Sequence, residues 1–401
     1  MRPNPTSSRA PLARAEPQRF GGAGGATLAR VADNGSAAAR DRRGRVTLSD
    51  VAADAGLSIT TVSRALAGYD DVAEATRVRV QQLAQRLGYR PSIRARHLAM
   101  GRQAALRCAV VSLGLSASRL PHSAYGPTLA GILAGAAAQG MDVQLAAMDS
   151  AHPAAELAGF VAEDRADGIL VVAAGALRAS DLQPLERAGT PYVLVNRHLG
   201  HEPGASPVHC VTPDWTGGTS DAVRRLHRLG HRRFAAIFPR DSAPSSTALD
   251  HERGWHDAVA ALGLDPADTP IVHASGPLSE TAGRDLARRL LTDGLPASGE
   301  PVTAIVAYND HVAHGVLEAA RELSVAVPDQ LTVFGFDDSV SRYLWPAVCS
   351  YDPHFYATGE RAALLLAGLL HGRPPGGDSP ARVMLPLDHV CRASCAPPPH
   401  V

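Results

Sequence analysis

Hydrophobic positions follow two rhythms along this chain, and the change between them falls near residue 107. From Val46 to Tyr89 the apolar residues recur at helical spacing in three short sets. Leu48, Val51, Ala52 and Ala55 form the first, with Thr47 and Asp50 spaced as a capping box and Gly56 as the stop. Ser58 opens the second as an N-cap, Val62, Ala65 and Leu66 face inward, and Gly68 closes it. The third begins near Glu74 and Thr76, buries Val80, Leu83, Ala84 and Leu87, and ends at Gly88 before Pro91. Two short helices joined through a tight turn and braced by a third predict a helix-turn-helix over residues 45–91.

Beyond Arg107 short apolar runs alternate with Ala- and Leu-rich helical stretches. Cys108–Leu113, Asp142–Ala147, Gly168–Ala173, Pro191–Val195, Phe234–Phe238, Thr303–Ala307 and Leu331–Phe336 read as buried strands. Strand-helix alternation over residues 105–401 predicts a doubly wound α/β body large enough for two lobes. Residues 1–44 are rich in Ala, Gly, Arg, Pro and Ser and nearly free of large apolar side chains, so they read as a disordered tail. The glycines from Gly21 to Gly25 follow no strand and are no dinucleotide fingerprint.

Charge adds an asymmetry that the total hides. The 401 residues balance 39 Arg, with no Lys, against 39 acids. Residues 1–44 and 45–107 carry +5 each and the remainder −10, so a basic front that suits a polyanion precedes an acidic body. The absence of lysine excludes a P-loop and Schiff-base chemistry. Five Cys, at 108, 210, 349, 391 and 395, include no CxxC pair, so the spacing indicates neither a disulfide framework nor a zinc site and fits a reducing cytoplasm. No apolar run reaches the length of a membrane span, and neither a membrane role nor a cofactor is expected. His251 and His256 are five apart, so one helix cannot aim both at a zinc ion, and no GxSxG elbow occurs; no catalytic residue is assigned.

Val46-Thr47-Leu48-Ser49-Asp50-Val51-Ala52, Ala55-Gly56-Leu57-Ser58 and Thr61-Val62-Ser63-Arg64-Ala65-Leu66 together resemble the DNA-binding domain of the lactose-repressor/galactose-repressor (LacI/GalR) family. The similarity continues through Leu87-Gly88-Tyr89-Arg90-Pro91. It extends into the body at Asp167-Gly168-Ile169, Asn196-Arg197, Leu229-Gly230-His231-Arg232-Arg233, Gly254-Trp255, Asn309-Asp310 and Gly335-Phe336-Asp337-Asp338. The resemblance implies a homodimeric transcription repressor whose hinge helix, at residues 92–104, joins the head to a two-lobed periplasmic-binding-protein-like core that binds a small polar effector, a sugar or sugar derivative. A transport protein or enzyme on the same core, without operator binding, is the competing class; a transport protein would need export and no DNA-reading head.

Roles follow from this resemblance. Ile59, Thr60 and Arg64 face base edges, Arg64 being suited to guanine. Leu48, Ser58, Thr61, Ser63 and Thr76 lie at the DNA, the hydroxyls on phosphates. In the hinge, Arg94 and Arg96 flank Leu98, the minor-groove wedge of a pseudo-palindromic operator. Tyr125, Asn196, Arg197, Ser245, His251, Asn309 and Asp337 are the expected effector residues. Asn196, Asn309 and Asp337 also each follow a strand in the pattern above, where open α/β sheets bind ligands. The chain departs from the family at Ala67 and Ala73, where a polar Asn and Ser are common, at Ser92, which replaces the usual hinge Asn, and at His251 and Leu278, where an arginine and an aromatic often hold a sugar.

Overall fold

A computed structural model describes residues 46–67, 69, 72–87, 89, 106–113, 124–148, 151–173, 175–240, 244–274, 278–372 and 379–399. The tail at 1–44 and the hinge at 92–104, with Arg94, Arg96 and Leu98, lie outside them. The chain divides into an N-terminal unit, residues 1–96, and a C-terminal one, 97–401.

The N-terminal unit contains α1 (Leu48–Ala55), α2 (Ile59–Ala67) and α3 (Glu74–Leu87). Thr47 and Asp50 form the expected capping box, and Gly56 ends α1 in the left-handed conformation at φ 66°. Ser58 Oγ accepts from Thr61 N at 3.1 Å and so caps α2. Val51, Ala52, Ala55, Val62, Ala65, Val80, Leu83 and Ala84 make one small core.

Among the described residues the C-terminal unit has two parallel sheets and one two-stranded antiparallel pair. Its first lobe contains β1 (Leu106–Leu113), α4 (Tyr125–Ala138), β2 (Met141–Met148), α5 (Pro153–Ala162), β3 (Gly168–Ala173), α6 (Ala179–Ala188), β4 (Tyr192–Val195) and β5 (Cys210–Pro213). The second contains α7 (Trp215–Leu229), β6 (Phe234–Pro239), α8 (Ser246–Ala261), β7 (Ile271–Ala274), α9 (Glu280–Asp293), β8 (Ala304–Ala307), α10 (Asp310–Glu322), β9 (Thr332–Phe334) and β10 (Ser350–Asp352). The chain then returns through α11 (Phe355–Leu370) and β11 (Arg382–Leu385) to the first lobe, and ends with β12 (Asp388–Val390) on the second. The first sheet runs β2-β1-β3-β4-β5-β11 and the second β7-β6-β8-β9, all parallel, with β10 and β12 as a separate antiparallel pair. The lobes are therefore joined by three crossings, after β5, before α11 and between β11 and β12.

Cores on both faces of each sheet explain the continuous apolar strands. Val110, Leu170, Val193 and Val211 pack under α4 and α11, and Ala109, Val111, Ile169 and Leu194 pack under α5 and α6. Glycines let helices approach closely where α4 meets α11: a Cβ on Gly131 would sit 1.9 Å from Tyr356 O, and one on Gly359 2.0 Å from Thr128 O. The run Leu331–Phe336 yields a shorter strand than expected, Thr332–Phe334, because the chain turns at once into a loop in which Asp337 has φ 91° and Asp338 φ 45°.

Candidate DNA-reading helix and effector cleft

Helix α2 presents Ile59, 52% exposed, together with exposed Thr60 and Arg64, while Val62 and Ala65 on its other side are buried. Arg64 lies 4.8 Å over the Tyr69 ring, which holds its guanidinium near the surface by a cation–π contact. Ser58, Thr61 and Ser63 sit along the start of α2, and the Ser58 and Thr61 hydroxyls are 2.8 Å apart. Leu48 begins α1 and packs against the head core, and Thr76 lies half-buried in the first turn of α3. Two arginines have structural tasks instead. Arg77 donates to the carbonyls of Tyr69 and Val72, and Arg79 donates to Ala55 O at the end of α1.

In the C-terminal unit, four of the expected effector residues stand just past the carboxyl ends of strands. Asn196 and Arg197 follow β4, Asn309 follows β8 and Asp337 follows β9. Asn196 adopts φ 58°, and its Nδ2 donates to Thr128 Oγ1 on α4, the helix that opens with half-buried Tyr125. Tyr125 and Thr128 line a tight recess with Ser112 and Val172. Arg197 reaches across to the second lobe, donating to Thr247 Oγ1 at 2.6 Å. Asn196 Oδ1 and Arg197 Nε are buried with no partner among the described residues. Ser245 and Asn309 are N-caps: the first accepts from Ala248 N at the start of α8, the second from Val312 N at the start of α10. Asp337 shares its loop with Asp338, which pairs with Arg392 at 2.5 Å. Asp310, completely buried, accepts from Ser339 N, Val340 N, Ser341 N and Ser350 Oγ and so fixes that loop. Burial raises the Asp310 carboxyl above its ordinary pKa against the pull of these donors.

His251 occupies a different setting from the clamp expected at its position. Its ring is enclosed by Trp215, Phe238, Tyr308 and Phe336 at centroid distances of 4.7–5.5 Å, with Nδ1 2.8 Å from Thr219 Oγ1. Burial depresses its pKa to about 3, so the ring is neutral and packs like an aromatic. Tyr308 and Phe336 precede Asn309 and Asp337, so this cluster backs the two polar residues. Leu278 packs on the core of the second lobe.

Sequence reasoning missed a buried polar link between the lobes. His198 and His201, from the loop after β4, each place Nε2 2.7 Å from one oxygen of Asp250 on α8. Gly200 N donates to His198 Nδ1, so the His198 proton resides on Nε2 and points at the carboxylate. Burial pushes the Asp250 carboxyl up, but the two histidine hydrogen bonds outweigh it and leave the group below its usual value. No local spacing signals this triad, because Asp250 lies about fifty residues from the two histidines.

A helix-turn-helix head and a two-lobed α/β core with polar residues just past the carboxyl ends of its strands define the class of ligand-binding transcriptional regulators. Residues 47–92 match the family of bacterial regulatory proteins, lacI family, and residues 223–395 match a periplasmic binding protein-like domain. The chain is 30% identical over 358 residues to the HTH-type transcriptional regulator CelR of Thermobifida fusca, covering 88% of this chain and 99% of that one. It is 27% identical to the transcriptional repressor CytR of Escherichia coli strain K12, covering 85% and 94%. Among solved structures, a CelR–cellobiose complex superposes with a TM-score of 0.61 at 27% identity, covering 87% of this chain and all of that one. A lac repressor dimer bound to operator and an anti-inducer shares the fold, with a TM-score of 0.62 at 24% identity over 88% and 99%. The chain belongs to the LacI family of DNA-binding transcriptional regulators. Among the described residues no helix is long and apolar enough to cross a membrane.

Proposed function

We propose that the protein is a cytoplasmic homodimeric repressor that reads a pseudo-palindromic operator and is controlled by a sugar or sugar derivative bound between the lobes of its core. The carrying observation is the pair of partnerless buried atoms beside β4, Asn196 Oδ1 and Arg197 Nε, at the junction of the two lobes. Unpaired buried polar groups are costly, and a hydroxyl-rich ligand entering an opened cleft supplies both an acceptor and donors to them. Asn309 Nδ2 and the Asp337 carboxylate add donor and acceptor capacity from the second lobe, a combination that suits adjacent hydroxyls. Tyr125 and Ser245 flank the cleft, and His251 forms its apolar backing. The cellobiose named in the similar CelR complex favours the carbohydrate class.

In the head, Arg64, Ile59 and Thr60 read bases and Leu48, Ser58, Thr61, Ser63 and Thr76 lie at the sugar-phosphate backbone; in the hinge, Arg94 and Arg96 sit on phosphates and Leu98 wedges into the minor groove. The test is a thermal-shift screen of the purified protein against mono- and disaccharides, cellobiose included. At least one sugar should raise Tm in the wild type and fail to do so in Asp337→Ala. If no sugar shifts Tm while phosphorylated or nucleoside metabolites do, the carbohydrate assignment is wrong.

A further inference from the structure

We propose that Cys349, Cys391 and Cys395 form a trithiolate site for a single thiophilic metal ion. Sequence spacing hides the cluster, because Cys349 precedes β10 while the other two follow β12. The antiparallel pairing of Ser350 with Val390 makes Cys349 and Cys391 neighbours across the ends of the two strands. The bends at Ala393 and Ser394 then return the chain, and Cys395 Sγ comes within 2.8 Å of Cys349 Sγ. All three sulfur atoms lie within 4.8 Å of one another. A metal about 2.3 Å from each sulfur needs them roughly 4 Å apart, so side-chain rotation has to widen the Cys349–Cys395 separation while keeping Cys391 in reach.

The donor chemistry selects the ion. Three sulfurs with no carboxylate or imidazole among them favour zinc, cadmium or cuprous ion over magnesium or calcium. Cys349 is buried, Cys395 half-buried and Cys391 exposed, which gives the site a dry base and an open entry. Arg392 N–H donates to Cys349 Sγ at 3.1 Å, the kind of outer hydrogen bond that supports a ligating thiolate. Binding exchanges the thiol protons, released to solvent, for metal–sulfur bonds and needs no oxidant. The His198–His201–Asp250 triad is the weaker metal candidate, because His198 Nδ1 accepts from Gly200 N, whereas a neutral histidine ligating through Nε2 would carry its proton on Nδ1.

The ion has a lever on the effector loop. Cys349 O accepts from Gly335 N at 2.9 Å, and Arg392, between two of the ligands, holds Asp338 through its guanidinium. An occupied site therefore pins the segment that carries Asp337.

The test uses the full-length protein, reduced and stripped of metal, titrated with Cd2+. A thiolate-to-cadmium charge-transfer band should saturate at one equivalent per chain and be displaced by Zn2+. Cys391→Ser, at an exposed position, should keep operator binding and weaken Cd2+ affinity at least about tenfold. Cys108→Ala, in the first lobe, should leave the titration unchanged. The proposal is overturned if the reduced protein gives no saturable band at one equivalent, if Cys391→Ser titrates like wild type, or if Cys349 and Cys395 form a disulfide on purification that resists reduction in the folded protein.

Discussion

Two residues carry claims sharp enough to measure singly. Arg64 stands on the exposed side of α2 with Val62 and Ala65 buried behind it, and its cation–π contact with Tyr69 limits its freedom without burying its donors. Arg64→Ala should cost about 1–3 kcal/mol on the cognate operator and relax preference at one base pair per half-site. Competition binding on a set of single-base operator variants checks this, and an equal loss on random DNA would make Arg64 a phosphate contact. His251 makes a claim about pH. Its folded-state pKa is about 3, below the ordinary value of 6.5, so above 6.5 both folded and unfolded states hold it neutral. As pH falls below 6.5 the unfolded chain takes up a proton that the folded chain refuses, and stability falls by about 1.4 kcal/mol per pH unit from this group until pH nears 3. His251→Phe should therefore flatten the acid limb of the stability curve measured by denaturant melts between pH 7 and 4.5. An unchanged slope would mean that the ring is charged or solvated.

At the scale of elements, the loop after β4 and helix α8 make side-chain hydrogen bonds from one lobe to the other. Asp250 receives both His198 and His201, and Arg197 holds Thr247 on the same helix. Asp250→Ala removes the acceptor shared by two buried or half-buried rings, so it should favour an open cleft, visible as a larger radius of gyration in small-angle scattering; an identical radius would show that the triad does not hold the lobes. The α4–α11 contact gives a packing test: Gly359→Val should destabilise the protein by about 3 kcal/mol, since even a Cβ meets Thr128 O. Long elements with one strong period were legible in advance. The three head helices, their capping box and seven strands came from the pattern of apolar residues, because each buries one stripe or both faces. Strands β5, β7, β10, β11 and β12 were not legible. β7, β11 and β12 present half-exposed side chains, so they carry no continuous apolar run and pairing with distant partners defines them.

For the whole molecule, the sequence located the strand-end residues Asn196, Asn309 and Asp337 because topology places such positions at the crevice of an open α/β sheet. It could not locate contacts made by folding distant segments together, which is why the Asp250 triad and the three-cysteine cluster emerge only from the structure. The proposed function divides the same way: the exposed face of α2 for DNA and the polar strand ends of the acidic core for a ligand. The central claim is that these two functions are coupled. Fluorescence anisotropy of a labelled operator duplex from the gene's own promoter, titrated with protein at fixed salt with and without the sugar found by thermal shift, measures that coupling directly. For the wild type the sugar should weaken operator affinity at least about tenfold, a coupling of roughly 1.4 kcal/mol, and for Asp337→Ala the curves with and without sugar should coincide. A sugar that binds the core at saturation while leaving operator affinity unchanged would contradict the account.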